Sequence, residues 1–351
     1  MIGRCQSLRH SLALAAIVAA ILTWVPVAAA AQNASTQAVR TTAHFAFFSD
    51  FETNLNDALI AAGLARKRGS TDKGEASPEA ACLDALPAAE RAGWNRAVDY
   101  YADVVSSESV GDRGRTRIRL ELAGVVKDDE WEDAEERRFI RIARGMRAAA
   151  APAYEACRWT ERDAANRRWI ETLAPSLAEH ELALAGRLAE AFQTRWAGLP
   201  MRVDVVETVE WSGAHTIHLR PPGAHVLISS SNPGYQGIAA LEMVFHEASH
   251  FLTGRDTPLR RALDDAIREL GDPFRGDLVH AVHFYMTGEI VRRRLQEAAG
   301  IDYAPAMYAL GLYDRGVFRR AIEATWPPYI DGKTTLPEAA LALVRALQTG
   351  G

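Results

Sequence analysis

Alternating apolar and polar residues predict a small β-sheet in the second half of the chain. The alternation runs through residues 201–207, 214–219 and 225–230, and Pro221-Pro222-Gly223 supplies a turn between the last two segments. His225 begins the last segment, and we expect it to be a surface residue rather than a metal ligand. The sheet leads directly into a helical pattern.

Apolar residues at helical spacing dominate the rest of the chain. They recur over about 54–64, 88–106, 128–147, 151–171 and 175–197, and again within 301–351. The pattern therefore predicts an α+β fold that is predominantly α-helical. Its small sheet packs on one central helix, and the N- and C-terminal parts are helical.

The central helix, over about 236–253, carries the most specific motif of the chain. His246, Glu247 and His250 spell HExxH, and residues four apart lie about 40° apart around a helix. The two imidazoles can therefore hold one metal ion, with Glu247 beside it as a general base for a metal-bound water. An apolar stripe lies opposite the histidines: Leu241, Phe245, Ala248 and Leu252. The alternative is an accidental, solvated histidine pair.

A second predicted helix, over about 277–298, offers the third ligand that catalytic zinc usually takes. His280 shares the inward stripe with Phe284, Thr287 and Val291, which favours it as the ligand. Glu289 lies on the opposite side, four residues before Arg293, but it stays an alternative because Gly288 could break the helix. His283 lies about 60° from His280. It is interpreted as a partly buried histidine with a backbone partner, or as a group that polarises a substrate carbonyl.

On these residues the chain resembles the zincin superfamily of metallopeptidases and, more loosely, its gluzincin branch. The resemblance covers about residues 201–300 and implies zinc bound by His246, His250 and a third ligand, with Glu247 as base. It also implies that an edge strand near the motif pairs with an extended substrate, and residues 225–230 are the candidate. The chain is also similar to secreted bacterial proteins of unassigned function, in which a segment like Phe47–Leu55 precedes HExxH.

The first 31 residues resemble a secretory signal peptide. Arg4 and Arg9 precede an apolar run over 12–25, and residues 27–31 offer a small-residue cleavage site. The alternative is an uncleaved membrane anchor. We therefore expect a periplasmic or secreted protein without a membrane span after cleavage. The remaining chain divides into a helical region (32–200), a metal-binding core (201–300) and a C-terminal helical region (301–351).

The net charge and the cysteine content limit the binding partners and the cellular compartment that we expect. The formal net charge is −5, and removal of a leader with two arginines makes it more negative, which argues against nucleic acid. Cys82 and Cys157 remain after cleavage and can pair in an oxidising compartment, if their geometry permits. We expect a peptide or protein substrate.

The sequence thus favours a zinc-dependent hydrolase, with a metallopeptidase as the leading hypothesis. Candidate donors to the developing oxyanion are Tyr235, His283 and Tyr285. Two alternatives remain. One is a non-catalytic binding protein of the cell envelope with a structural or vestigial metal, for which His283 could supply a fourth ligand. The other is a zinc hydrolase that acts on a non-peptide bond.

Overall fold

A computed structural model describes residues 37–69, 78–107, 110–126, 133–210, 213–219, 223–271, 278–309 and 317–349. The predicted signal peptide lies outside these residues. Helices form most of the described chain, and five strands form one mixed sheet. The predicted class, a predominantly α-helical α+β fold, is confirmed. Among the described residues, no helix combines the length and the apolar character that a membrane crossing requires.

The helices are numbered in chain order. They are α1 (Phe51–Lys67), α2 (Pro78–Ala85), α3 (Ala88–Tyr100), α4 (Gly111–Leu122), α5 (Ala134–Tyr154), α6 (Thr160–Ala191), α7 (Ile238–Ser249), α8 (Pro258–Leu270), α9 (Leu278–Ala299), α10 (Ala306–Ala309), α11 (Val317–Thr325), α12 (Pro327–Ile330) and α13 (Leu336–Gln348). A π-helical turn, Tyr101–Val105, extends α3, and a second, Glu155–Trp159, joins α5 to α6. The break expected before residue 175 is absent, because α6 continues through Pro175.

The strands are β1 (Arg40–Thr41), β2 (Phe45–Phe48), β3 (Met201–Val206), β4 (Ala214–Leu219) and β5 (Gly223–Ser229). Their order in the sheet is β1-β2-β3-β5-β4. Strands β2, β3 and β5 are parallel, whereas β1 and β4 are antiparallel to their neighbours. The sheet thus combines strands from both sides of residue 200. The proposed division of the chain at residues 200 and 300 stays a prediction.

The edge strand next to the motif helix is β4, so the expectation that residues 225–230 form this edge is wrong. Val226, Leu227 and Ile228 are all fully buried, as in an inner strand that is covered on both faces. His225 is buried as well, contrary to expectation. Its Nε2 lies 2.6 Å from Oδ2 of Asp204 on β3, and both side chains are buried inside the sheet.

Helix α7 lies in the largest hydrophobic core. Its predicted apolar stripe is buried, and Phe245 packs against Phe45 of β2 with a ring-centroid distance of 5.3 Å. The opposite side of α7 is buried too, because α9 and strand β4 cover it. After Ser249 the helix tightens into a 3-10 turn, His250–Thr253. The motif side chains therefore lie between α9 and β4 rather than on an exposed face.

Helix α9 runs without interruption through Gly288, which the sequence suggested as a break. A side chain at this position would lie 2.7 Å from Pro305 and 3.0 Å from Oε1 of Glu242 on α7. Glycine therefore allows α9 to pack closely against these neighbours. Because α9 is continuous, its residues keep the helical spacing that places His280 and His283 on the face toward α7.

Cys82 and Cys157 are joined by a disulfide, with Cα atoms 5.7 Å apart. The bond attaches α2 to the π-helical turn between α5 and α6. We expect replacement of both cysteines by serine to lower the free energy of unfolding by about 2–5 kcal/mol, because the unfolded chain loses a long closed loop. Urea unfolding of the variant and of the oxidised wild type measures this difference. Coincident unfolding midpoints would show that the bond contributes nothing.

Candidate metal centre

Four histidines converge between α7 and α9. His246 lies on α7, His250 begins the 3-10 turn after it, and His280 and His283 lie on the first turns of α9. One nitrogen from each of the four lies within 4.8 Å of those of the others. This buried four-histidine cluster can bind a metal ion.

The spacing of two of these nitrogens fits zinc. The Nε2 atoms of His246 and His280 are 3.3 Å apart. Two nitrogens bound at 2.0–2.1 Å to one tetrahedral zinc ion are separated by about 3.3 Å. The donor set consists of imidazoles alone, which suits zinc but also copper, nickel and iron. The cluster could therefore hold a transition-metal ion, and its donor atoms do not select among these metals.

The local helix geometry produces this convergence. His246 and His250 are one turn apart, and their ring centroids are 4.9 Å apart. His280 and His283 are three residues apart on α9, which places both on one face. Their ring centroids lie 5.3 Å and 4.3 Å from that of His246. Packing of two helices thus brings together two pairs that are 30 residues apart in sequence.

Burial keeps the cluster in the form that binds metal. His246 and His283 are 1% and 0% exposed. Desolvation and then the neighbouring histidines hold the pKa of both well below the usual value, and the same effects lower the pKa of His250 to about 3. The three rings are therefore neutral at pH 7. A neutral imidazole has a lone pair available for a metal ion.

Glu247 lies at the edge of the cluster and outside the four-histidine set. Its Oε2 is 3.9 Å from Nε2 of His250 and 2.5 Å from the hydroxyl oxygen of Thr216 on β4. Burial raises the pKa of Glu247 to about 7, although the hydrogen bond from Thr216 opposes this shift. This arrangement fixes a carboxylate beside the histidines without making it one of them.

Glu289, the alternative third ligand, is engaged elsewhere. Its two carboxylate oxygens accept hydrogen bonds of 2.7 Å from Arg292 and Arg293. It is not part of the four-histidine cluster. His280 occupies the position that its helical stripe suggested.

The edge strand contributes residues that the sequence analysis did not assign to the site. Thr216 and His218 lie two residues apart and therefore on the same face of β4. Thr216 contacts Glu247, and the rings of His218 and His250 meet edge-to-face with centroids 6.2 Å apart. The alternation of apolar and polar residues over 214–219 predicted this strand. It did not show that the strand lies at the edge of the sheet beside the motif helix.

The two tyrosines suggested as oxyanion donors differ in their surroundings. Tyr235 is buried, and its pKa is raised by desolvation and by the nearby Glu247. The electrostatic neighbours of Tyr285 include Glu289 and Arg293. Of the two, Tyr235 is the one with an electrostatic contact to a motif residue.

A second buried carboxylate lies one turn before the motif. Glu242 on α7 is 0% exposed, and its Oε2 accepts hydrogen bonds from the hydroxyl of Tyr303 (2.5 Å) and the backbone nitrogen of Ala306 (2.8 Å). Burial raises the pKa of Glu242 to about 7 despite these bonds. Glu242 therefore fastens the segment after α9 to the motif helix.

The raised pKa of Glu242 predicts a pH-dependent contribution to stability. Below its usual pKa of 4.5, the carboxyl is protonated in both the folded and the unfolded protein. As the pH rises from there to about 7, the unfolded chain ionises first, so the folded state loses stability relative to it. We expect the free energy of unfolding of Glu242→Gln to increase by up to about 3 kcal/mol relative to that of the wild type between pH 5 and pH 8. Urea unfolding of both proteins with chelator measures this, and a pH-independent difference would contradict it.

Comparison with known proteins gave no match: no protein-family model, no curated protein and no solved structure was similar to the chain.

Proposed function

We propose that the protein is a zinc-dependent hydrolase, and specifically a metallopeptidase, with His246, His250 and His280 as zinc ligands and Glu247 as general base. The observation that carries the proposal is the position of Glu247. Its carboxylate is buried beside the histidine cluster and held by Thr216, yet it is separate from the cluster. A structural metal site has no need of such a carboxylate, whereas hydrolysis requires a base beside the metal.

The residues of this chain have defined roles in the proposed reaction. When bound, zinc supplies Lewis acidity that lowers the pKa of water toward 7 and polarises a carbonyl. Glu247 accepts the proton of the attacking water and delivers it to the leaving amine. Thr216 fixes one oxygen of that carboxylate, and Tyr235 is a candidate to donate to the developing oxyanion.

The sheet edge supports a peptide as the substrate. Among the described residues, β4 pairs with β5 on one side only, so its other side can accept an extended chain. Thr216 connects this edge strand to Glu247. A peptide that adds a strand to β4 would pass directly beside the carboxylate.

The disulfide supports a location outside the cytoplasm. Structural disulfides persist in oxidising compartments, and Cys82 and Cys157 are bonded. Together with the predicted signal peptide, this bond favours a periplasmic or secreted enzyme. The acidic net charge favours peptide or protein substrates over nucleic acid.

The proposal is tested with purified residues 32–351 and a panel of internally quenched peptides, with ester and non-peptide amide substrates in parallel. We expect cleavage of peptides that a chelator abolishes and that one equivalent of zinc restores. Cleavage of only the non-peptide substrates would indicate a hydrolase of non-peptide bonds instead of a peptidase. Zinc-loaded protein that hydrolyses none of the panel would contradict hydrolase function.

One observation favours a second candidate, a non-catalytic metal-binding protein of the cell envelope. His283 adds a fourth imidazole to the cluster, and a metal saturated by four protein ligands has no position for water. If the protein is non-catalytic, zinc stabilises the fold, and Glu247→Gln changes only the charge beside the metal site. Tight zinc binding without turnover of any substrate is its expected signature.

A further inference from the structure

We infer that Nδ1 of His283 is a fourth metal ligand, oriented by Ser249, and that it closes the metal site in its resting state. The inference rests on the metal site of the proposed function and concerns the regulation of that site. It assigns roles to His283 and Ser249 that HExxH alone does not require.

The two ring nitrogens of His283 have different environments. Nε2 lies 2.8 Å from the hydroxyl oxygen of Ser249. Nδ1 is buried and has no hydrogen-bond partner among the described residues, in a side chain that is 0% exposed. Leaving such an atom without a partner in the interior costs free energy. A metal ion held by the four-histidine cluster would use its lone pair.

The Ser249 hydroxyl fixes the tautomer that this role requires. The hydroxyl lies 3.1 Å from the backbone oxygen of His246, which can only accept its single proton, and 3.4 Å from the hydroxyl of Thr287, which can itself donate. The oxygen of Ser249 therefore accepts the Nε2–H of His283, which leaves Nδ1 unprotonated. A metal-binding histidine almost always donates its other ring N–H in this way. Ser249 is thus a positioning residue built into the motif helix.

Packing alone does not account for this arrangement. The ring of His283 stacks on His246 at 4.3 Å and meets Phe192 at 5.6 Å, contacts that an apolar ring could also make. An apolar residue would avoid the unpartnered Nδ1. With His246, His250 and His280 as the other ligands, the fourth imidazole occupies the place that water takes in an open catalytic site. Turnover then requires His283 to withdraw or the coordination number to rise.

Cobalt(II) is the probe for the test, because its visible spectrum reports coordination directly. The compared proteins are the wild type and His283→Gln, whose amide can still reach Ser249 but offers no ring nitrogen at Nδ1. We expect each to bind one cobalt ion. The wild-type spectrum should be unchanged by azide, whereas His283→Gln should show an altered spectrum that titrates further with azide.

Two variants separate coordination from folding. Ser249→Ala keeps the imidazole and removes only its anchor, and we expect cobalt affinity to fall about 10- to 100-fold. His180→Ala removes another buried imidazole, 4% exposed and outside the cluster, and should leave both affinity and spectrum unchanged.

The inference is overturned if His283→Gln matches the wild type in spectrum and affinity, or if azide titrates the wild type as it does the variant. In either case the metal site of the proposed function survives. Failure of the wild type to bind cobalt or zinc would instead remove the proposed function together with this inference.

Discussion

Glu247→Gln is expected to lower peptide turnover by about 10²- to 10⁴-fold while the bound zinc stays at the wild-type level. Glutamine preserves the size of the side chain and can still accept the hydrogen bond from Thr216. It cannot accept a proton from water. The loss should therefore appear in kcat, measured at saturating peptide with the zinc content determined on the same sample.

The matched control is Glu242→Gln, which neutralises a second buried carboxylate on the same helix, outside the histidine cluster. If both variants lose turnover equally, the effect comes from the loss of a buried charge and not from a missing base. If Glu247→Gln retains turnover within a factor of two of the wild type, Glu247 has no part in the chemistry.

Replacement of the proposed third zinc ligand, His280, is expected to remove most of the stabilisation of the fold by zinc. We expect saturating zinc, at about 1,000 times its Kd, to stabilise the wild type by about 4 kcal/mol, because the metal binds the folded state. His280→Ala should lose most of this stabilisation. Glu289→Ala should retain it, because Glu289 is bound to Arg292 and Arg293. Unfolding in urea with chelator and with zinc gives the difference for each protein.

The comparison between these two variants also decides a question that the sequence left open. Equal zinc stabilisation of His280→Ala and the wild type, combined with its loss in Glu289→Ala, would move the ligand to Glu289 and contradict the observed side-chain arrangement. His246→Ala and His250→Ala serve as positive controls, since both motif histidines belong to the cluster.

Helical periodicity was sufficient to predict which histidines lie together in the cluster. His246 and His250 belong to one helix, so their common direction follows from a spacing of four residues. The inward stripe of the second helix placed His280 correctly on the side that faces α7, where its Nε2 lies 3.3 Å from that of His246. The sequence also placed His283 near the site, but its full burial and its bond to Ser249 depend on the packing of α9 against α7.

The order of the strands was not predictable in the same way. Residues 225–230 precede the motif directly, so proximity in sequence suggested them as the edge. The continuous apolar run Val226–Ile228 instead indicates an inner strand with both faces covered. Pairing of strands depends on contacts between distant residues, such as His225 with Asp204, and no local pattern encodes that pair. The contact between Thr216 and Glu247 was missed for the same reason.

The central claim is that the four-histidine cluster is a metal site, and metal content tests it most directly. Residues 32–351 are purified without chelator, dialysed against micromolar zinc and analysed by elemental mass spectrometry, beside a variant with His246 and His280 both replaced by alanine. The account predicts one zinc per wild-type chain and almost none in the variant. A wild-type protein that holds no transition metal, or a variant that holds as much as the wild type, would contradict it.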